Sequence, residues 1–124
     1  MFRIEDDLSI HVTRGDAITI QLKAKVNGES YAFRDGDKVR FKVFEKKACQ
    51  NVALQKDFLP AVGETFVDLF LDKDDTKIGD IISKPVDYWY EIELHPDILP
   101  QTIIGYDADG SKVFRLYPEG GEKE

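Results

Sequence analysis

Asp72, Asp74 and Thr76 occupy alternate positions in "DKDDTKIGDIIS", the spacing with which a calcium loop begins. Such a loop goes on to need glycine at its sixth position, for a sharp turn, and a bidentate glutamate at its twelfth. Here those positions hold Lys77 and Ser83. "DADGSKVF" starts the same way with Asp107, Asp109 and Ser111, and has Lys112 in the glycine position. Both stretches read as turn and cap chemistry, in which short side-chain oxygens take up nearby backbone N–H groups. Arg14-Gly15-Asp16 matches a cell-adhesion tripeptide. A Gly-Asp pair between "LSIHVT" and "AITIQL" is also what a tight turn between two strands requires, and the turn is the reading adopted.

The remaining reactive residue types are few. His11 and His95 are the only imidazoles and Cys49 the only thiol, too few for a four-ligand zinc site. A Cys49–histidine dyad is the one nucleophilic pairing these residues leave open, against the simpler role of a small apolar filler. Glu91 and Glu93 fall on one face of a strand, either as a carboxylate pair for glycan chemistry or as a solvated sheet face. No glycine-rich phosphate loop or nucleophile elbow is present. The expectation is therefore no enzymatic activity, no catalytic residue, no metal and no cofactor. Trp89, between acidic neighbours on that same face, is the one residue singled out as a partner contact. Its alternative role is to lie beneath a second sheet or a loop.

These residues need elements to hold them, and the bulk composition bounds what those are. The 124 residues suffice for one domain, read as spanning 1–124 with a polar tail from about residue 118. A net charge of -7 opposes nucleic acid and anionic membranes as partners. No apolar run is long enough to span a bilayer, and "MFRIEDDLSIHV" lacks the pattern of a signal peptide.

Period-two alternation dominates the chain. In "AITIQLKAKV", Ile18, Ile20, Leu22, Ala24 and Val26 fall on one face. In "KVRFKVFE" it is Val39, Phe41 and Val43, and in "DYWYEIEL" Tyr88, Tyr90, Ile92 and Leu94. "LSIHVT", "TFVDLFL", "QTIIGY" and "KVFRLY" complete about seven strands at hairpin spacing. Asn27-Gly28, Asp35-Gly36 and "DADGS" supply the turns. Only "DKDDTKIGD" suggests helix, as one short turn. The pattern predicts an all-β antiparallel sandwich or small barrel with Ile18, Ile20, Leu22, Val39, Phe41, Val43, Tyr90, Ile92 and Leu94 in its core.

Five stretches, in order, carry a resemblance: "VTRGDAITIQL", "YAFRDGDKVRFKVFEK", "LFLDKDDTKIG", "DYWYEIEL" and "QTIIGYDADGSKVFRLYPEG". Together they resemble the N-terminal immunoglobulin-like domain of baseplate upper proteins from tailed phages of Gram-positive bacteria, and of related prophage tail proteins. The resemblance spans residues 8–120 and contains no catalytic signature. It implies an immunoglobulin-like antiparallel sandwich, without the Cys…Trp…Cys pattern of antibody domains. It also implies a non-catalytic structural or assembly subunit of a phage or prophage tail or baseplate. Such a subunit is made in the bacterial cytoplasm and carried in the virion. Its partners are other tail or baseplate proteins or further copies of itself. The family's receptor-binding attachment lies in a part these residues do not resemble. The competing function is a carbohydrate-binding or adhesion sandwich module, whose mark is two or three coplanar exposed aromatics.

Overall fold

The computed structural model describes residues 2–4, 8–23, 25–26, 29–46, 50–79, 82–94, 101–104 and 112–118. Eleven strands run along them: β1 (Phe2–Ile4), β2 (Ile10–Thr13), β3 (Ile18–Lys23), β4 (Lys25–Val26), β5 (Glu29–Ser30), β6 (Val39–Lys46), β7 (Gln50–Phe58), β8 (Phe66–Leu71), β9 (Val86–Leu94), β10 (Gln101–Ile104) and β11 (Lys112–Tyr117).

The protein is all-β, with no helix among the described residues. A seven-stranded sheet runs β1-β2-β11-β9-β6-β7, with β10 also paired to β9. β3 and β8 form a second, two-stranded sheet, and β4 pairs with β5; the turn expected at Asn27-Gly28 lies outside the described residues. Alternation sets which side of each strand is buried. Ile18, Ile20 and Leu22 of β3, with Val67, Leu69 and Leu71 of β8, join Val39, Phe41, Val43, Tyr90, Ile92 and Leu94 of the large sheet in one core cluster. Ile10, Val12, Phe114 and Leu116 extend it. The two sheets thus share a core as in a sandwich, and all nine expected core residues are buried.

Three expectations need correction. The large sheet is mixed rather than purely antiparallel, because β2 lies parallel to β11, with Phe114 opposite Ile10 and Leu116 opposite Val12. Residues far apart in sequence can pair in either direction, and strand alternation is blind to direction. "AITIQLKAKV" does not form one strand: β3 pairs with β8, while β4 pairs with β5. The helical turn in "DKDDTKIGD" is an isolated hydrogen-bonded turn. Thr76 N–H bonds Asp72 C=O at 3.3 Å and Lys77 N–H bonds Asp74 C=O at 3.2 Å. Gly79, at φ 70°, departs from helical conformation, and the carbonyls of Ile78 and Gly79 accept from the Arg14 side chain.

Asp35-Gly36 forms its turn as expected, with Gly36 at φ 90°. Asp37, 4% exposed, closes the turn by accepting from Arg34 N–H at 2.9 Å and from the Tyr31 hydroxyl at 2.8 Å. Cys49, His95, the 107–111 loop and the polar tail beyond Pro118 lie outside the described residues.

Candidate interaction surface

On the outer face of the large sheet, strand register brings together residues that sequence order keeps apart. Val113 of β11 is opposite Trp89 of β9, Trp89 is opposite Phe44 of β6, and Phe44 is opposite Val52 of β7. Register partners project from the same face, so these four form one apolar row across four strands. Val113 and Trp89 are half-buried, Phe44 is 5% exposed and Val52 is 53% exposed. Phe44 is buried without belonging to the inter-sheet core.

Charged rows flank this stripe. On one side Arg115 holds Asp87 through Nε at 2.5 Å and Nη2 at 3.2 Å. On the other, Lys42 lies opposite Glu91, and Arg40 opposite Glu93. Arg40 forks onto Asp57 at 2.7 and 3.1 Å. Lys42 Nζ approaches Glu93 Oε1 to 2.6 Å, a charge contact without hydrogen-bond alignment. Glu91 and Glu93 are therefore set in a ladder of alternating charge, and Glu93 is 8% exposed rather than solvated. An apolar centre with a polar, paired rim is the anatomy of a protein interface.

The two stretches that look like binding loops turn out to hold each other. Arg14 is 7% exposed, and its guanidinium donates to Gly79 C=O at 2.8 Å and Ile78 C=O at 3.4 Å. Gly15 N–H donates to Thr76 Oγ1 at 3.0 Å, and the Thr76 hydroxyl donates to Asp16 C=O at 2.9 Å. The Arg14-Gly15-Asp16 tripeptide is thus a structural turn with its arginine turned inward. In the acidic stretch, Asp72 Oδ1 accepts the N–H groups of Asp74 and Asp75 at 2.9 and 2.8 Å. Asp75 Oδ2 accepts Asp72 N–H at 2.9 Å and Lys56 Nζ at 2.7 Å. The carboxylates bond the backbone and Lys56, and among the described residues no three His, Cys, Asp or Glu side chains gather as a metal site. Thr76→Val preserves shape but strands Gly15 N–H and Asp16 C=O. It should cost about 1–3 kcal/mol in chemical denaturation, with Thr76→Ser retaining most of that.

One carboxyl, Asp72, and one phenol, Tyr31, carry a pH dependence. The backbone N–H groups of Asp75 and Asp74 hold the Asp72 carboxyl below the usual carboxylate range. A depressed folded-state pKa contributes stability that is complete above about pH 4 and is lost as pH falls through the folded value. Burial, with the hydrogen bond to Asp37, pushes the Tyr31 hydroxyl up. Its contribution is complete below about pH 10 and is lost as pH rises through the raised value. Denaturation curves across pH should therefore fall away at both ends, with Asp72→Asn flattening the acid limb and Tyr31→Phe the alkaline limb. If neither variant changes either limb, these assignments fail.

One constellation has a sequence signal that the motif reading overlooked. Ser9 and His11 are two residues apart on an alternating segment, hence on one side. Ser9 Oγ lies 3.1 Å from His11 Nε2, and His11 Nδ1 lies 2.8 Å from the Tyr117 hydroxyl. A hydroxyl on an imidazole that is itself oriented by a third group has the form of a nucleophile–base pair. Ser9 and His11 are only 8% and 6% exposed, which closes them to substrate. The set works as a polar staple between β2 and β11, whose residues His11 and Arg115 are register partners.

Comparison of the chain with family models, curated proteins and solved structures finds no match. No helix among the described residues is long and apolar enough to cross a membrane.

Proposed function

We propose that this chain is a non-catalytic structural or assembly subunit that acts through protein–protein contacts, and that its setting is a phage or prophage tail or baseplate. The observation that carries the contact reading is the Val113–Trp89–Phe44–Val52 row between its two charged flanks. A half-buried tryptophan at the centre of an apolar stripe is the residue type that anchors interfaces.

The strand order supports an immunoglobulin-like identity. β11-β9-β6-β7 is the order of strands G, F, C and C′ in the larger sheet of a variable-type sandwich, and β3-β8 matches its B–E pair. The tail or baseplate setting rests on the resemblance of the five ordered stretches, since the fold alone hosts many functions. The partners are other virion proteins or further copies of this chain. The net charge of -7 opposes loose self-association and favours contacts that are specific. A tagged copy produced in cells that make the particles should capture tail or baseplate proteins. Capture of none of them, from cells in which intact particles are present, contradicts the proposal.

A further inference from the structure

We infer that the outer face of the large sheet pairs two copies of this chain, about a two-fold axis that runs along the strands between β6 and β9. The surface used is the Trp89 row, so the pairing rests on the contact reading above and not on the tail setting.

The outward charges of the two central strands are sorted by sign. On β9 they are Asp87, Glu91 and Glu93, with Trp89 among them. On β6 they are Arg40, Lys42 and Lys46, with Phe44 among them. Glu93 lies opposite Arg40, Glu91 opposite Lys42 and Trp89 opposite Phe44. Two residues further on, the same register brings Asp87 level with Lys46. An acidic strand therefore runs beside a basic one, and each carries an aromatic ring at the same height. Asp87, Lys46 and Val52 are exposed, and Trp89, Val113, Lys42 and Glu91 are half-buried, so the rows around Trp89 retain accessible surface.

Such a face is complementary to itself under one rotation. An axis between β6 and β9, parallel to both, lays β9 of one copy over β6 of the other, with each row at its own height. Trp89 then meets Phe44 of the second copy. β11 lies over β7, which sets Val113 on Val52 of the second copy. In the adjoining rows Asp87 meets Lys46, and Glu91 meets Lys42. Each contact occurs twice, because both copies use the same patch. Packed sheets cross at about 30°. That angle carries the distant Arg40–Glu93 row out of alignment but leaves the rows beside Trp89 within reach of long side chains.

Charge selects a second copy as the occupant. Arg115 on β11 and Asp57 on β7 add one charge of each sign, giving four bases and four acids on the outer face of these four strands. The face is neutral although the whole chain carries -7. A uniformly basic or acidic partner would oppose one of the two central strands. An occupant must carry the same sorting turned through half a circle, and this chain does. Four strands about 4.8 Å apart and four rows about 7 Å apart span roughly 500 Å² on each copy. That is near the lower bound of specific interfaces, about 1,000 Å² in total. The dimer therefore forms and dissociates with concentration.

The test is sedimentation velocity of the purified full chain from micromolar to millimolar concentration, with variants at two exposed positions. The parent should sediment as a monomer at the lowest concentration and as a dimer at the highest, and Trp89→Lys as a monomer throughout. Lys46→Glu and Asp87→Lys should each weaken dimerisation tenfold or more, because each sets like charges against one another twice. Both should keep the parent's circular dichroism, since Asp87→Lys gives up only an exposed pair with Arg115. Their equimolar mixture should regain the parent's association. Asp87 of the first variant then meets Lys46 of the second, and the introduced glutamate meets the introduced lysine. A monomer at every concentration overturns the inference; if Trp89→Lys still abolishes capture of tail or baseplate proteins, the contact reading stands with a different partner on the same face. A dimer that survives Trp89→Lys overturns it by placing the contact elsewhere. A mixture that associates no more tightly than either charge variant alone overturns the stated orientation and with it the inference.

Discussion

Phe41→Ala should lower the domain's stability by about 3–5 kcal/mol, the range for losing a buried phenylalanine from a core that cannot collapse onto the space. Phe41 is fully buried on β6, between β9 and β7. Its ring centre lies 5.8 Å from that of Tyr90 and 6.1 Å from that of Phe114. The strands around it are fixed by their backbone pairing, so the void would stay open. Small domains hold only about 5–15 kcal/mol in total, so this variant should sit close to unfolding. In urea the midpoint should fall with little change in slope. Phe41→Leu should recover part of the loss. A change below about 1 kcal/mol for Phe41→Ala would show that this centre is not packed as described.

Trp89→Lys should have the largest effect on assembly. Trp89 stands on the outer face, half-buried and outside the core cluster, so the free protein should lose about 1 kcal/mol or less. A central aromatic anchor is worth about 2 kcal/mol or more to an interface, which corresponds to at least roughly thirtyfold in affinity. Capture of partners by the tagged chain should therefore collapse while circular dichroism and thermal unfolding stay near those of the parent. Val62→Lys is the control. Val62 is 66% exposed in the segment between β7 and β8, and its replacement should leave capture unchanged. Equal capture by both variants would remove the Trp89 row from the interface.

Where alternation is local, the sequence reveals the structure. The core positions of β3, β6 and β9 follow from every-second-residue patterning, because burial on one face imposes it. β7 escapes that reading. Val52, Ala53 and Leu54 are consecutive, and a register shift lies between Val43 and Phe44 of its partner, so Val52 faces out and Leu54 faces in. A bulge adds one residue and reverses the phase of alternation. The parallel pairing of β2 with β11 was also hidden, since it joins opposite ends of the described chain.

The candidate interface was legible only in its single most conspicuous residue. Trp89 could be singled out because it stands among acids on a strand face. Its neighbours Val113, Phe44 and Val52 come from three other strands and meet it only through register, which no local period encodes. The turn reading of Arg14-Gly15-Asp16 was available from its position between two strands. That its arginine bonds the carbonyls of the acidic loop was not, because the two segments touch only in the fold.

The central claim, a structural subunit working through protein contacts, is tested most directly by quantitative mass spectrometry of gradient-purified particles. The account predicts that the chain co-sediments with tail proteins at a fixed stoichiometry, unaffected by washing in high salt, and that Trp89→Lys removes it from the particles. Absence of the parent chain from intact particles, or a variable trace amount lost on washing, would contradict the account.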